Sequence, residues 1–283
     1  MNISILFLTY NESLNLPRSI AALNWADDIV VLDSFSEDDT TTVAKKLGAR
    51  IYQRKFDNFA GQRNYALNHI QFKHDWILHL DADEVVTTKL FEEMRHAITI
   101  EHYDAFKIPS KMILFDKWLK YSGMYPVYQV RLGRKNHLRF KQVGHGQQED
   151  LPLHKIGTLK EPYIHYGFSK GIVGWLEKHN RYSTDEAMEI FLTNSSNKKL
   201  NWKFFFSKDL TVRRRAFKTL SFKLPFRPIL RFFYMYIFRR GFLDGRSGFI
   251  YSCLLAIYQY EIDLKLKELN INHNKNVNYK TYL

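Results

Sequence analysis

The feature that most constrains this chain is a rhythm in its first third, where short apolar runs alternate with segments of helical spacing. "ISILFLT" (Ile3–Thr9), "DIVVLDS" (Asp28–Ser34), "ARIYQRKF" and "DWILHLD" each have the length of a strand. Between them, "LNLPRSIAALNWA" sets Leu16, Ile20 and Leu23 at helical intervals, "DTTTVAKKLG" stops at Gly48, and "GQRNYALNHI" reads as a third helix. Strands that stay apolar without alternation are buried on both faces, and helices between them imply a parallel sheet covered on both sides. Glycine closes such helices because it turns left-handed without penalty. In sheets of this kind the ligand crevice lies outside the carboxyl ends of the strands.

The residues just past those strand ends are therefore informative: "TYNE" (Thr9–Glu12), "DSFSED" (Asp33–Asp38) and "DADE" (Asp81–Glu84). The topology brings these three carboxylate-bearing clusters to one edge. Massed carboxylates repel unless positive charge sits among them, and Asp-x-Asp after a strand suits Mg²⁺ or Mn²⁺, with phosphate oxygens of a substrate filling the remaining positions. Taken alone, Asp-x-Asp is commonly a solvated loop or a cap; the other two strand ends give it weight. Too few His and Cys lie nearby for zinc, and His79, inside its strand, reads as structural. Neither G-x-G-x-x-G nor G-x-x-x-x-G-K-[ST] occurs, which argues against a Rossmann dinucleotide site or a P-loop.

After Glu84 the pattern changes. "TKLFEEMRHAIT" is an amphipathic helix, and "AFKIPSKMILF" and "VYQVRLGR" read as strands, antiparallel because no helix separates them. Ser169–Leu192 is a long helix. A boundary near Asn197 divides a catalytic domain, 1–197, from a helical, basic-aromatic region, 198–283.

The net charge is +13, and much of it lies in Asn201–Arg240, where eleven Lys/Arg face one Asp among twelve aromatics. That asymmetry points to an anionic partner. Aromatics and cations together can grip nucleic acid, but no RRM, KH or helix-turn-helix pattern accompanies them, so no nucleic acid is expected. An anionic membrane surface fits better: aromatics sit at headgroup level, and Arg231, Arg239 and Arg240 can snorkel to phosphates. Packing of this cationic face on the catalytic domain or on an oligomer partner is the plainer alternative. No run reaches the roughly 20 apolar residues of a membrane span; "GFIYSCLLAIYQYEI" is too short. With no signal-peptide pattern at the start and one cysteine, Cys253, the expectation is a cytoplasmic protein, peripheral on the inner face of the membrane.

In order and spacing, "SILFLTYNESLNLPRSIAAL", "ADDIVVLDSFSEDDTTTVAKKLGARIY", "FAGQRNYAL" and "DWILHLDADE" resemble the family-2 inverting glycosyltransferases of GT-A fold. "HYGFSKGIVGWLEKHNRYSTDEA" and "FRRGFLDGRSGF" resemble the branch of bacterial lipopolysaccharide-core and surface-polysaccharide glucosyltransferases, so that the likeness runs over about residues 1–260. The resemblance implies a nucleotide-sugar donor, most often a UDP-sugar, and a lipid-linked or glycan acceptor. Thr9, Asn11 and Glu12 would line the nucleoside pocket, with Glu12 on the ribose. Asp33 would meet the base, with Ser34 and Asp38 shaping the loop, and Arg63 and Asn64 would lie near the diphosphate or the sugar. Asp81 would touch ribose or metal, and Asp83 would be the main ligand of Mn²⁺ or Mg²⁺, which offsets charge on the leaving diphosphate.

Inversion also needs a general base. Relatives carry a His-Glu pair where this chain has "QVGHGQQED", with Gly146 after His145; Glu149 is the expected base and Asp150 the alternative. Arg131 matches a family arginine at the site floor, although a surface strand residue is the plainer reading. Trp118 and Trp175 are either sugar-stacking or core residues. Phe35 replaces the usual small residue of its loop, so a positive φ there would strain it. Two other functions stay open: a polyprenyl-phosphate sugar transferase, and a non-catalytic membrane- or nucleic-acid-binding protein on the same fold.

Overall fold

The computed structural model describes residues 2–143, 146–195 and 226–274. They fall into two compact units, Met1–Ile172 and Val173–Leu283.

The first unit opens as its apolar rhythm dictates: β1 (Ile3–Thr9), α1 (Leu16–Ala21), β2 (Ile29–Asp33), α2 (Thr40–Lys46), β3 (Arg50–Gln53), α3 (Phe59–His69) and β4 (Trp76–Asp81). β1 sits between β2 and β4, both parallel to it, and β2 pairs with β3. Local signals start and stop the helices. Pro17 lies in the first turn of α1, where its missing N–H costs nothing. Asn58 caps α3 by accepting from the Gly61 N–H at 2.7 Å, and Gly48 follows α2 at φ 82°.

The rest is mixed. After β5 (Glu84–Val85) and α4 (Thr88–Ala97) come β6 (Ala105–Leu114), β7 (Lys117–Trp118) and β8 (Val127–Arg134). Four more short strands complete the unit: β9 (Phe140–Val143), β10 (Gly146–Glu149), β11 (Ile156–Thr158) and β12 (Tyr163–His165). The sheet order is β3-β2-β1-β4-β8-β6-β12-β5, while β9 and β10 form a separate ribbon. β8 runs antiparallel to β6, as expected, and also to β4, so β6 runs parallel to β4. β12 and β11 pair parallel with β6.

One face of the sheet packs Ile5, Phe7, Leu78 and Leu80 against Leu16 and Ile20 of α1, Ala44 of α2 and Leu90 and Met94 of α4. The other packs Leu6, Val30, Leu32 and Ile77 against Ala60, Ala66 and Leu67 of α3. This is the α/β, mostly parallel sheet flanked by helices that the sequence implies.

The second unit holds α5 (Gly171–Ser195), α6 (Arg227–Phe233) and α7 (Gly245–Asn274). Ala187, Ile190 and Phe191 of α5 bury against Ile262 and Leu269 of α7. That packing assigns α5 to the second unit, so the division falls at 172–173 rather than near 197. Arg227, one of the cations of the basic segment, is buried and bonds Asp263 and Gln259, each at 2.9 Å. Residues 201–225 of that segment lie outside the described residues. Trp175 is buried and stacks on His179, which makes it a core residue. Among the described residues no helix is long and apolar enough to cross a membrane.

Candidate active site

Strand register assembles the edge. Thr9 stands opposite Asp33, and Leu8 opposite Asp81, which aligns three carboxyl ends. The Thr9 hydroxyl donates to Asp33 Oδ1 at 2.9 Å, and the Ser36 N–H donates to Oδ2 at 2.8 Å, so the buried Asp33 is held by its own loop. Asn11 binds the same loop, its N–H donating to Ser36 Oγ and its Oδ1 accepting from the Glu37 N–H. The Glu12 N–H donates to Thr40 Oγ1, and the Ser13 N–H to Asp38 Oδ2. Burial opposes ionisation of Asp38, but hydrogen bonds from Thr40 and Ser13 outweigh it and hold the carboxyl below its ordinary value. Ser34 accepts from Gln62 of α3 at 3.3 Å. The β1–α1 and β2–α2 loops are thus laced into one wall. Phe35 lies on it at φ 62°, 54% exposed. A left-handed φ costs a non-glycine residue about 1–2 kcal/mol, so the position does carry the strain that its side chain predicts.

The "DADE" turn meets two buried arginines. Arg63 Nη2 donates to Asp81 Oδ1 at 2.9 Å, and Arg131 Nη2 to Asp81 Oδ2 at 2.7 Å. Arg131 also bonds Glu84 Oε1, while the other Glu84 oxygen accepts from the Asp81 N–H at 3.0 Å. Burial pushes Glu84 up to about 7, against the pull of Arg131. Burial likewise brings Arg63 down to about 10, against the attraction of Asp81. The sheet itself aims Arg131. Phe106 pairs with Leu132 and Lys107 with Val130, which leaves Arg131 as the extra residue of a bulge. Bulges turn a side chain away from strict alternation. Arg131 is 3% exposed, so the surface reading of it is excluded.

Asp83 follows on the same turn. Its Oδ2 lies 3.3 Å from Nε2 of His165, a β12 residue whose register partner is Glu84. Burial lowers the pKa of His165, but the charge and hydrogen bond of Asp83 override that and raise it above its ordinary value. Glu12 receives Lys170 Nζ on Oε1 at 2.6 Å and Asn15 Nδ2 on Oε2 at 2.7 Å.

The remaining expected residues lie on or beside α3. Asn64 bonds the backbone N–H and C=O of Phe140 with the two ends of its amide, fastening β9 to the helix. Glu149 is half-buried on β10 opposite Phe140, whose ring is 5.8 Å from the Arg63 guanidinium carbon. Asp150 pairs with Lys141 at 2.7 Å. His145 lies outside the described residues. His79 is fully buried with its ring edge-on to Phe140, and burial together with Arg63 and Arg131 drives its pKa down, a structural residue as read. Sequence pattern alone assigns no role to three neighbours. Glu84 belongs to the "DADE" cluster without a part of its own, and His165 and Lys170 sit in "HYGFSKG" as branch markers only.

Carboxylates and guanidiniums gather here at the carboxyl edge of a mixed, mostly parallel sheet, an arrangement in keeping with the GT-A architecture. The chain belongs to glycosyl transferase family 2, whose model matches residues 4–147, from β1 into β10. It is 27% identical to "Uncharacterized glycosyltransferase RC0292" of Rickettsia conorii over 289 residues, covering 97% of this chain and 93% of that protein. It is 26% identical to "Uncharacterized glycosyltransferase RT0209" of Rickettsia typhi over 295 residues, 99% of this chain and 92% of the relative. Among solved structures, S. aureus TarS 1–349 aligns at a TM-score of 0.43 and 15% identity, over 92% of this chain and 91% of that one. Glucosyl-3-phosphoglycerate synthase from Mycobacterium tuberculosis in complex with phosphoglyceric acid aligns at 0.43 and 16%, over 58% and 72%.

Proposed function

We propose that this family-2 glycosyltransferase moves a sugar, with inversion, from a UDP-sugar to a lipid-linked or lipopolysaccharide or polysaccharide acceptor at the cytoplasmic membrane face, with a divalent cation at Asp83. One observation carries the reading: the Asp81–Glu84 turn stands beside the joined β1 and β2 loops, at one sheet edge, with two buried arginines beneath it.

The residues present fit the cation. Both oxygens of Asp81 accept from guanidiniums, whereas Asp83 faces an imidazole at 3.3 Å. One carboxylate and one imidazole suit Mn²⁺ better than Mg²⁺, which prefers oxygen alone. Among the described residues no group of three or more His, Cys, Asp or Glu is placed to hold a metal, so two protein ligands and the phosphates of a donor would share the ion. When bound, it supplies Lewis-acid stabilisation of the departing diphosphate.

The protein's own groups do the rest. Thr9, Asn11, Asp33, Ser34 and Asp38 shape the nucleoside wall, and Glu12 is the carboxylate offered to ribose. Arg63 and Arg131 hold Asp81 rigid and lend positive charge beneath the diphosphate. Glu149, opposite the Phe140 that flanks Arg63, is the base that takes the acceptor proton. A polyprenyl phosphate acceptor would need no such base.

Thermal unfolding with UDP tests the donor site. A ligand at a hundred times its Kd adds about 2.7 kcal/mol of stability. UDP with Mn²⁺ stabilises the protein, Mg²⁺ serves less well, and Asp83→Ala loses the metal-dependent part. Equal stabilisation with and without metal, in both proteins, refutes the cation's role.

The membrane reading has support of its own within the second unit. Phe226, Phe233, Ile237, Phe238 and Leu243 are exposed close in sequence to Arg231, Arg239 and Arg240. Salt-sensitive sedimentation with anionic vesicles, and none with neutral ones, is the expected behaviour. Equal sedimentation with both removes the electrostatic part.

A further inference from the structure

A second set of groups occupies the sheet edge and takes no part in the donor site. β6 runs parallel to β4, so its C-terminal half reaches the edge where Asp81 stands. Side chains alternate across a strand, which puts Lys107, Lys111 and Ile113 on one face. Lys107 pairs with Val130 of the α3-side core, Tyr128 lies opposite Pro109, and Trp118 of β7 lies opposite Ile113. Asp81 lies opposite Leu8, which packs on that same core. The lysine–aromatic strip and Asp81 therefore share a face as well as an edge. Two strand spacings, about 10 Å, separate β4 from β6.

The strip has a definite chemistry. Lys111 Nζ lies 4.9 Å and Lys120 Nζ 5.5 Å from the Trp118 ring centroid, and Lys107 Nζ lies 5.4 Å from that of Tyr128. Three lysines of this unit are ion-paired, Lys141 to Asp150, Lys155 to Asp104 and Lys170 to Glu12, and Lys73 and Lys135 bond backbone carbonyls. Among the described residues, Lys107 and Lys111 have no carboxylate within ion-pair distance and rest on ring faces instead. The β6–β7 turn is tight, with Phe115 and Asp116 at φ 49° and 56°, and it folds Trp118 back against β6.

Resting on the sugar-transfer reading, we propose that this strip is the acceptor platform and that the acceptor is a saccharide bearing a phosphate or a carboxylate. Flat rings stack on the apolar face of a sugar, which selects a saccharide over a bare anion. The ammoniums of Lys107 and Lys111, which no carboxylate answers, select an anionic sugar over a neutral one. A cation–π contact at a partly exposed site is weaker than a charge-assisted hydrogen bond. An arriving anion thus draws the ammoniums off the ring and opens its face to the sugar. The lateral offset of about 10 Å between β4 and β6 leaves the donor its own place.

The test uses the full chain with ¹⁵N-labelled tryptophan, the Trp118 indole signal being assigned by Trp118→Phe. Glucose 6-phosphate, glucuronate and glucose are titrated to about 20 mM, a range in which millimolar contacts register. Both anionic sugars should move the Trp118 signal, and glucose should move it less than a tenth as far. Lys107→Gln with Lys111→Gln should weaken the anionic sugars about tenfold, with an unchanged melting temperature as the control for folding. The proposal fails if glucose matches glucose 6-phosphate, if the signal stays fixed, or if the double variant binds as the parent does. It also fails if phosphatidylglycerol vesicles move the signal and neither sugar does. UDP stabilisation, read on the same samples, reports on the donor site separately: its loss with the sugar response intact overturns sugar transfer and leaves an anionic-sugar site.

Discussion

The two halves of the sheet are built on opposite plans. In β3-β2-β1-β4 the strands are parallel and joined by helices, and the three strongly apolar ones, β1, β2 and β4, end in polar, carboxylate-bearing clusters. In β8-β6-β12-β5 the strands mix directions, β12 and β5 are only three and two residues long, and β8 carries a bulge. The first half presents carboxylates to the crevice. Arg63 of α3 answers Asp81 from within the first half, but the other counter-charges return from far along the chain: Arg131 of β8 across 50 residues to Asp81, and Lys170, just past β12, across 158 to Glu12. A parallel half can align loops by register and lend Arg63 from α3, whereas Arg131 reaches the same turn from an irregular strand.

The largest expected effect breaks that dependence directly. Arg131→Met leaves the buried Glu84 without its counter-charge, and removing one partner of a buried pair costs about 3–5 kcal/mol. Urea unfolding measures it; a loss below about 1 kcal/mol would show that the mixed half does not hold the turn. Next comes Glu149→Gln, which should lower kcat about a hundredfold or more with little change in the UDP Kd. Undiminished turnover would favour the phosphate acceptor that needs no base.

Asp28 tests the parallel half. Its buried carboxylate accepts from Ser4 Oγ at 2.6 Å, the Lys73 N–H at 2.8 Å and Arg50 Nη2 at 2.7 Å. Burial opposes its charge, but these donors together hold its pKa below 3.8. A carboxyl lowered on folding gives stability that is present above its unfolded value and lost as pH falls through the folded one. Stability should therefore decline below about pH 4, and Asp28→Asn should cost about 1–3 kcal/mol near neutrality while flattening that decline. An acid limb of unchanged slope would count against it. The smallest effect is that of Phe35→Gly, which relieves a left-handed φ and should stabilise by at most about 1 kcal/mol. Weakened UDP binding in the same variant would show that the strained loop serves the donor.

Legibility divides along the same line. The strands of the parallel half, the stop at Gly48 and the strain at Phe35 are local matters, settled by period, by left-handed backbone or by one side chain. β5, β7, β11 and β12 carry no such signal. At two or three residues they have no period, and only their neighbours make them strands. His165 and Lys170 are out of reach for that reason, since nothing local to "HYGFSKG" says that it returns to Asp83 and Glu12. The boundary near 197 differs from the observed one because the division tracks how α5 packs, and its partner α7 lies some 70 residues further on.

By itself, then, the sequence determined an α/β sheet with three carboxylate-bearing strand ends at one rim, because burial on both faces and helical spacing are written residue by residue. Only the tertiary structure decided which cations answer those carboxylates. Ion pairs form across chain separations on which local pattern is silent, and a single extra residue in β8 fixes where Arg131 points.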